Sequence, residues 1–403
     1  MDAEASNERY ALMDGVVELP RIGSVISDSS TVVPYGVADA DGARVDAIDV
    51  WVRDLVMCDR STRTVRAYCY SLLTWFRVLW FLGVSWNHAT ESDVAAMVGW
   101  LRSASNPQRR RSPASTNVAG AVNLKTGKPE LALGYSPSTI NVALAATYQF
   151  YAFHGHSGQG PVLNPVPQSP QRRRALAHRS PIESRQRHRR ARLRQKTADT
   201  LPRSIPDSLW SELFEVLRGP RDRALLLCFV SSGARASELL GATNGDVDWD
   251  HQRIWVISKG TRMRRPVPVS PEALLWLAGY VHTATNPDVA APLWRTLRKP
   301  ERALSYSAAR RVFQRVNVVL GTNWTLHDLR HTAAVRMATD GTLTLPEVQT
   351  VLGHADLRTT SRYTVPRMEE MVETMAAFYA RPTPALHLHA DYDAADFSVV
   401  FGD

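Results

Sequence analysis

Cysteine is scarce. Cys58, Cys69 and Cys228 are the three in 403 residues, an odd number without the paired spacing of metal ligands. That excludes a disulfide framework or a thiolate zinc site as the source of stability, and the three are expected to be reduced core residues of a cytoplasmic protein. Long apolar runs are also missing. LeuLeuLeuCysPheVal at 225–230 is far too short to span a bilayer, so no membrane partner is expected. The polar, acidic N-terminus lacks the pattern of a signal peptide.

Outside one segment the chain has almost no excess of either charge. The net charge is +9, yet Gln171–Lys196 carries eleven Arg and Lys against Glu183, a net of +10 that leaves about −1 elsewhere. A basic character confined to one place argues for a polyanion held at a defined position, with Arg172, Arg173, Arg174, Arg187, Arg189, Arg190, Arg192 and Arg194 as candidate phosphate contacts. A solvated, disordered charge run is the plain alternative.

Residues 1–43 show no sustained period and read as a flexible N-terminal arm. Helical patterning then begins: Ile48, Trp51, Val52 and Leu55 share one face, and Val65, Tyr68, Leu72, Leu73, Trp75, Phe76 and Leu79 share another from about Thr62. Further helices are expected at 93–101 and 138–153, with 106–135 as a long loop or insertion that includes Arg109, Arg110 and Arg111. The proline-rich stretch from Gly160 to Pro170 breaks structure before the basic segment. From Leu201 the pattern is helical again, interrupted by two expected strands at 253–258 and 265–269, with helix stops at Gly321, Gly341 and Gly353.

A widely spaced set of groups in this second half makes sense around one phosphate: Arg235, Lys259, His327, Arg330, His354 and Tyr363. Two guanidiniums, two imidazoles, an ammonium and a phenol suit phosphoryl transfer without a metal or other cofactor, because planar Arg donors match phosphate oxygens and count most where negative charge develops. Each group taken singly has a plain alternative. Arg235 with Glu238 reads equally as a surface ion pair, Lys259 as a turn lysine, and His327 with Arg330 as a structural pair on one helical face. Asp328 and His331 fit helix capping or packing, His331 being read as pointing away from the shared face. HisLeuHisAlaAspTyrAsp near the C-terminus offers metal ligands superficially, but fits a disordered acidic tail better.

Four signatures stand in order: GlyAlaArgAlaSerGluLeuLeu, SerLysGlyThrArgMetArgArgProValProVal, HisAspLeuArgHisThr and LeuGlyHisAlaAspLeuArgThrThrSerArgTyrThr. In this order the chain resembles the tyrosine recombinases, or phage-type integrases. The resemblance implies a mainly α fold: a helical, SAM-like core-binding domain over 44–166, a basic linker over 167–200, a mostly helical catalytic domain with a small antiparallel sheet over 201–381, and an acidic tail over 382–403. That catalytic architecture is the DNA breaking-rejoining fold. It also implies roles: Tyr363 as nucleophile, Arg235 and Arg330 as phosphate clamps, His327 in proton transfer or phosphate binding, His354 on a non-bridging oxygen, and Lys259 as proton donor to the leaving 5′ oxygen. Arg262, Arg264 and Arg265 in the same loop are additional candidate phosphate contacts.

The expected product of attack is a 3′-phosphotyrosyl link, resealed by a 5′ hydroxyl from a second duplex. The expected partners are double-stranded DNA and three further copies of the chain, joined through an amphipathic helix at 366–379, with accessory directionality factors as a further possibility and the nucleoid as the place of action. The long linker, the insertion and the N-terminal arm favour a mobile-element integrase or transposase over a compact housekeeping enzyme. A type IB topoisomerase and a regulator that has lost catalysis are the competing assignments.

Overall fold

The computed structural model describes residues 2–28, 30–107, 118–169, 190–197, 203–258, 261–283, 288–353, 375–376 and 380. The chain divides into two compact units, Met1–Thr200 and Leu201–Asp403. The described residues hold twelve α-helices and two small antiparallel sheets, so the fold is mainly α.

The N-terminal unit is built on α2 (Asp46–Met57), α3 (Thr62–Phe81), α4 (Glu91–Ser103) and α5 (Pro137–His156). Local chemistry starts these helices where the pattern predicts. Ser61 and Ser136 accept hydrogen bonds from the backbone of Thr64 and Thr139, and Pro137 occupies a first-turn position where its missing N–H costs nothing. The faces read from the sequence pack inward: Ile48, Trp51, Val65, Leu72 and Trp75 are all buried. Phe150 is central, with Trp51, Phe76, Trp86 and Tyr151 all edge-on to it.

The flexible arm expected over 1–43 is corrected in large part. Asp2–Met13 forms helix α1, and β1 (Ser24–Ser27) pairs antiparallel with β2 (Tyr35–Ala38). Helix α1 has almost no amphipathic period of its own, which is why pattern reading passes it over; tertiary contacts hold it. Leu12 is fully buried, α1 packs on α4, and Arg9 donates to Asp93 at 2.6 Å. The other carboxylate oxygen of Asp93 caps α4 by accepting from the Thr90 backbone and hydroxyl, both at 2.8 Å. A second correction concerns the cysteines: Cys69 and Cys228 are buried, and burial pushes both thiols up to about 12, but Cys58 at the end of α2 is exposed.

The C-terminal unit comprises α6 (Asp207–Val216), α7 (Pro220–Ser232), α8 (Ala236–Leu239), α9 (Pro271–His282), α10 (Tyr306–Leu320), α11 (Leu326–Thr339) and α12 (Leu345–Leu352). Its sheet has the order β3 (Val247–Asp248), β4 (Arg253–Ile257), β5 (Arg264–Pro268), all antiparallel. Strand β3 is only two residues long, too short for alternation to reveal it. Helix α7 is buried on nearly every side and packs against α9 and α11, forming the hub of this unit. Gly321 and Gly353 end their helices in the left-handed conformation, at φ of 65° and 62°. Gly341 does not cap a helix; α11 stops at Asp340, whose extended backbone breaks the helix one residue earlier.

Candidate functional site

Described parts of the four signatures meet at the C-terminal end of α12. Three consecutive carbonyls there, of Val351, Leu352 and Gly353, accept from three guanidiniums carried on three different elements. Arg265 on β5 reaches Val351 O at 2.8 Å, Arg330 on α11 reaches Leu352 O at 2.8 Å, and Arg235 reaches Gly353 O at 3.2 Å. A helix C-terminus leaves its last carbonyls without helical partners and carries partial negative charge, so cations are the chemically apt caps.

Arg235 sits in the turn between α7 and α8. Gly233 ends α7 at φ 60°, and a Cβ there would come within 2.5 Å of Leu352, so the turn approaches α12 more closely than any side chain would permit. Glu238 then closes α8 back onto Arg235, accepting from its backbone N at 3.0 Å and from Nη1 at 2.9 Å. The Glu238 side chain is 1% exposed and that of Arg235 is 33% exposed, so a buried carboxylate orients a guanidinium that keeps an open edge.

Arg330 is buried. Its Nη1 donates to Gly233 O at 2.6 Å while Nη2 serves Leu352, so one fork joins the Arg235 turn to the end of α12. Helix α11 is started by Thr325 and Asp328, the carboxylate accepting from the Thr325 backbone at 2.7 Å and hydroxyl at 2.8 Å. Asp328 is thus the capping residue expected. His327 lies exposed in the first turn, where the positive end of the helix dipole favours an anion. His331 is placed differently from expectation: its ring is 4.2 Å from that of His327, edge to face, because residues four apart share a helical face.

Lys259, His354 and Tyr363 lie outside the described residues, as do Arg172, Arg173, Arg174, Arg187 and Arg189. The acidic tail and most of 366–379 lie outside them too; Met375 and Ala376 are helical, and Ala380 N bonds Ala376 O at 3.0 Å. The chain neighbours of two of these candidates are described, and both belong to the cluster. Ser258, next to Lys259, accepts from Arg265 Nε at 3.1 Å, and Gly353, next to His354, accepts from Arg235.

The loop arginines divide. Arg262 stands in the β4–β5 turn at φ 56°, its N–H on Ser258 O at 3.0 Å. Arg264 faces outward, stacked 4.8 Å from the Trp255 ring and paired with Asp246 at 3.0 Å. Arg265 turns inward with Val256 and Val267, its alternation matching the buried face of the strand. Pattern reading grouped it with its two neighbours as a phosphate contact. The parity it shares with Val267 was the signal that separates it.

At the base of the sheet, Asp248 is held down to about 2 by hydrogen bonds from Arg253 and then His251. Asp246 is also low: partial burial pushes it up, but bonds from Thr243 and Arg264 outweigh this.

In the N-terminal unit the described part of the basic segment, 190–197, forms a turn fastened to the helices. Asn141 Nδ2 donates to Gln195 O at 3.0 Å and its Oδ1 accepts from Gln195 N at 2.9 Å, while Arg192 pairs with Glu91 at 2.7 Å. Arg190, Arg194 and Lys196 line, with Arg102, a surface cleft of about 660 Å³. Among the described residues no cluster of His, Cys, Asp and Glu could hold a metal ion, and no helix is long and apolar enough to cross a membrane.

Comparison with known proteins gives two family matches, together covering more than half of the chain: the phage integrase family over residues 210–370, and the phage integrase N-terminal SAM-like domain over 48–118. The first span contains all six candidate positions, from Arg235 to Tyr363. Tyrosine recombinase XerC of Chlamydia caviae is 32% identical over 176 residues, 41% of this chain and 56% of that protein. XerC of Serratia marcescens is 33% identical over 172 residues, 41% and 55%. The chain thus spans little more than half the length of the curated relatives it matches. Among solved structures, a lambda integrase dimer bound to a COC′ core site matches with TM-score 0.54 and 15% identity, over 81% of this chain and 96% of that one. The Tn1549 transposon integrase in complex with a circular intermediate DNA matches with TM-score 0.52 and 13% identity, over 82% and 99%. At such identities the structures speak to the fold alone.

Proposed function

The chain belongs to the phage integrase family, and from that premise we propose that it is a site-specific DNA recombinase that cuts and rejoins strands through a 3′-phosphotyrosyl intermediate. The observation that carries the proposal is the convergence of Arg235 and Arg330 on the end of α12, with the chain neighbours of Lys259 and His354 in the same cluster.

In this mechanism Tyr363 attacks the scissile phosphate in line. Its phenol is almost wholly protonated at neutral pH, with an ordinary pKa of about 10, so surrounding cations must favour the phenolate as it forms. Arg235 and Arg330 stabilise the charge added to the phosphoryl oxygens. Their bonds to Glu238, Gly353, Gly233 and Leu352 fix the orientation of each guanidinium before substrate arrives. His354 binds a non-bridging oxygen, and His327 binds phosphate or relays a proton. Lys259 protonates the leaving 5′ oxygen, which arginine could not do, since its pKa exceeds about 12. The ester keeps the bond energy, so attack by a 5′ hydroxyl of a second duplex reseals the strand without a nucleotide or a metal.

The basic segment supplies the sequence-independent grip: Arg172, Arg173, Arg174, Arg187, Arg189, Arg190, Arg192 and Arg194 contact the DNA backbone, with Arg262 and Arg264 from the β4–β5 turn. Four protomers assemble on two duplexes through the 366–379 helix, in the cytoplasm at the nucleoid.

The test is covalent trapping on a nicked suicide duplex chosen by selection from random DNA. Wild-type protein is expected to form a protein–DNA adduct that Tyr363→Phe does not form. Binding without an adduct would identify a regulator, and relaxation of supercoils by a monomer without strand exchange would identify a topoisomerase.

A further inference from the structure

We propose that Arg265 is a positioning residue that locks three parts of the site together, and that it does not contact DNA phosphate as its neighbours in the β4–β5 turn do. The inference deepens the recombinase assignment and rests on it for its activity readout.

The Arg265 side chain is 15% exposed, against 58% for Arg264 one residue earlier. Each of its nitrogens has a partner on a different segment. Nε donates to the Ser258 hydroxyl at 3.1 Å, Nη1 to Val351 O at 2.8 Å, and Nη2 to Glu238 Oε2 at 3.2 Å. Ser258 precedes Lys259, Val351 lies in the last turn of α12 before His354, and Glu238 holds Arg235. The same carboxylate that orients Arg235 through Oε1 is therefore fixed from its other oxygen by Arg265.

Gly353 completes the fit, since a Cβ there would stand 3.0–3.1 Å from the Arg265 guanidinium. The left-handed glycine both ends α12 and makes room for the fork. A lysine would put one point charge where three directed donors are needed, so the exchange that keeps the charge should not keep the arrangement.

The experiment uses the full-length chain with Arg265→Lys and Arg265→Gln, and with Ser258→Ala as a variant that removes the Nε acceptor while leaving the guanidinium in place. Duplexes selected from random DNA serve as probe. For Arg265→Gln, which removes the charge, affinity should stay within about twofold of wild type and the salt slope should be unchanged, because no phosphate contact is lost. Single-turnover cleavage of the nicked duplex by Arg265→Lys at saturating protein should slow by about 100-fold, the scale of a small misplacement of catalytic groups.

Backbone amides in 257–258 and 351–353 should exchange about tenfold faster in Arg265→Lys, while those of α9 stay unchanged. Ser258→Ala should show the same pattern at smaller size, and it carries the test if Arg265→Lys does not fold. A salt slope lower by about one in Arg265→Gln would make Arg265 a phosphate contact and overturn the proposal. Unchanged cleavage, or exchange that rises evenly through the whole unit, would overturn it too. If the wild-type protein cleaves no duplex, the recombinase assignment fails, and the exchange measurement alone still decides the role of Arg265.

Discussion

The Arg330 guanidinium donates to the carbonyl of Gly233 at 2.6 Å, so Arg330 is bonded to the turn that carries Arg235. Its other arm holds Leu352 O at 2.8 Å. Arg330→Lys keeps the charge but can serve one of these buried acceptors at best. The expected result is a loss of about 2–3 kcal/mol in the stability of the C-terminal unit, measured by urea unfolding. Cleavage should fall by at least about 100-fold.

Gly353→Ala tests the same junction from the backbone. At φ 62° an alanine is strained by about 1–2 kcal/mol, and its methyl meets the Arg265 guanidinium. Melting of the C-terminal unit should drop accordingly. Gly341→Ala, where a Cβ meets nothing within 4 Å and the backbone is not left-handed, should melt like wild type.

In the N-terminal unit the ion pair of Arg9 and Asp93 is the point of weakness. Asp93 is 0% exposed, and Arg9→Ala leaves its carboxylate without the partner on Oδ1. The expected cost is about 3 kcal/mol, because a buried charge loses its counter-ion. Protease sensitivity of α1 and calorimetry of the first transition would measure it. Deletion of residues 1–13 should cost at least as much, whereas an unattached arm would be removed without effect.

The described surroundings of Arg235, Arg330 and the end of α12 were partly legible in the sequence because these segments carry their own start and stop signals. Asp328 with Thr325 caps α11 and Gly353 ends α12, so candidate chemistry and local structure coincide in the same few residues. What escaped was whatever depends on partners distant in the chain. Helix α1 is stabilised by Asp93, 84 positions from Arg9. Arg265 looks like its neighbours until the register pairs it with Val256 of β4. His331 was assigned to the wrong side of its helix, although a spacing of four from His327 puts the two rings together.

The sheet should also confer acid sensitivity. Asp248 titrates at about 2 in the folded protein against 3.8 ordinarily, owing to Arg253 and His251. A lowered folded pKa means that its stabilisation is complete above about pH 4 and drains away as pH falls towards 2. Asp248→Asn should therefore lower the melting temperature near neutrality, and the difference from wild type should shrink steadily below about pH 4. Curves that stay parallel to the lowest pH would contradict this assignment.

The most direct measurement is the chemical identity of the protein–DNA link. After trapping on a nicked duplex, digestion and mass spectrometry should place the nucleotide on the peptide containing Tyr363, attached through a 3′ phosphate, with a free 5′ hydroxyl on the departing strand. A nucleotide found on any other residue, or a 5′-phosphate linkage, would contradict the account.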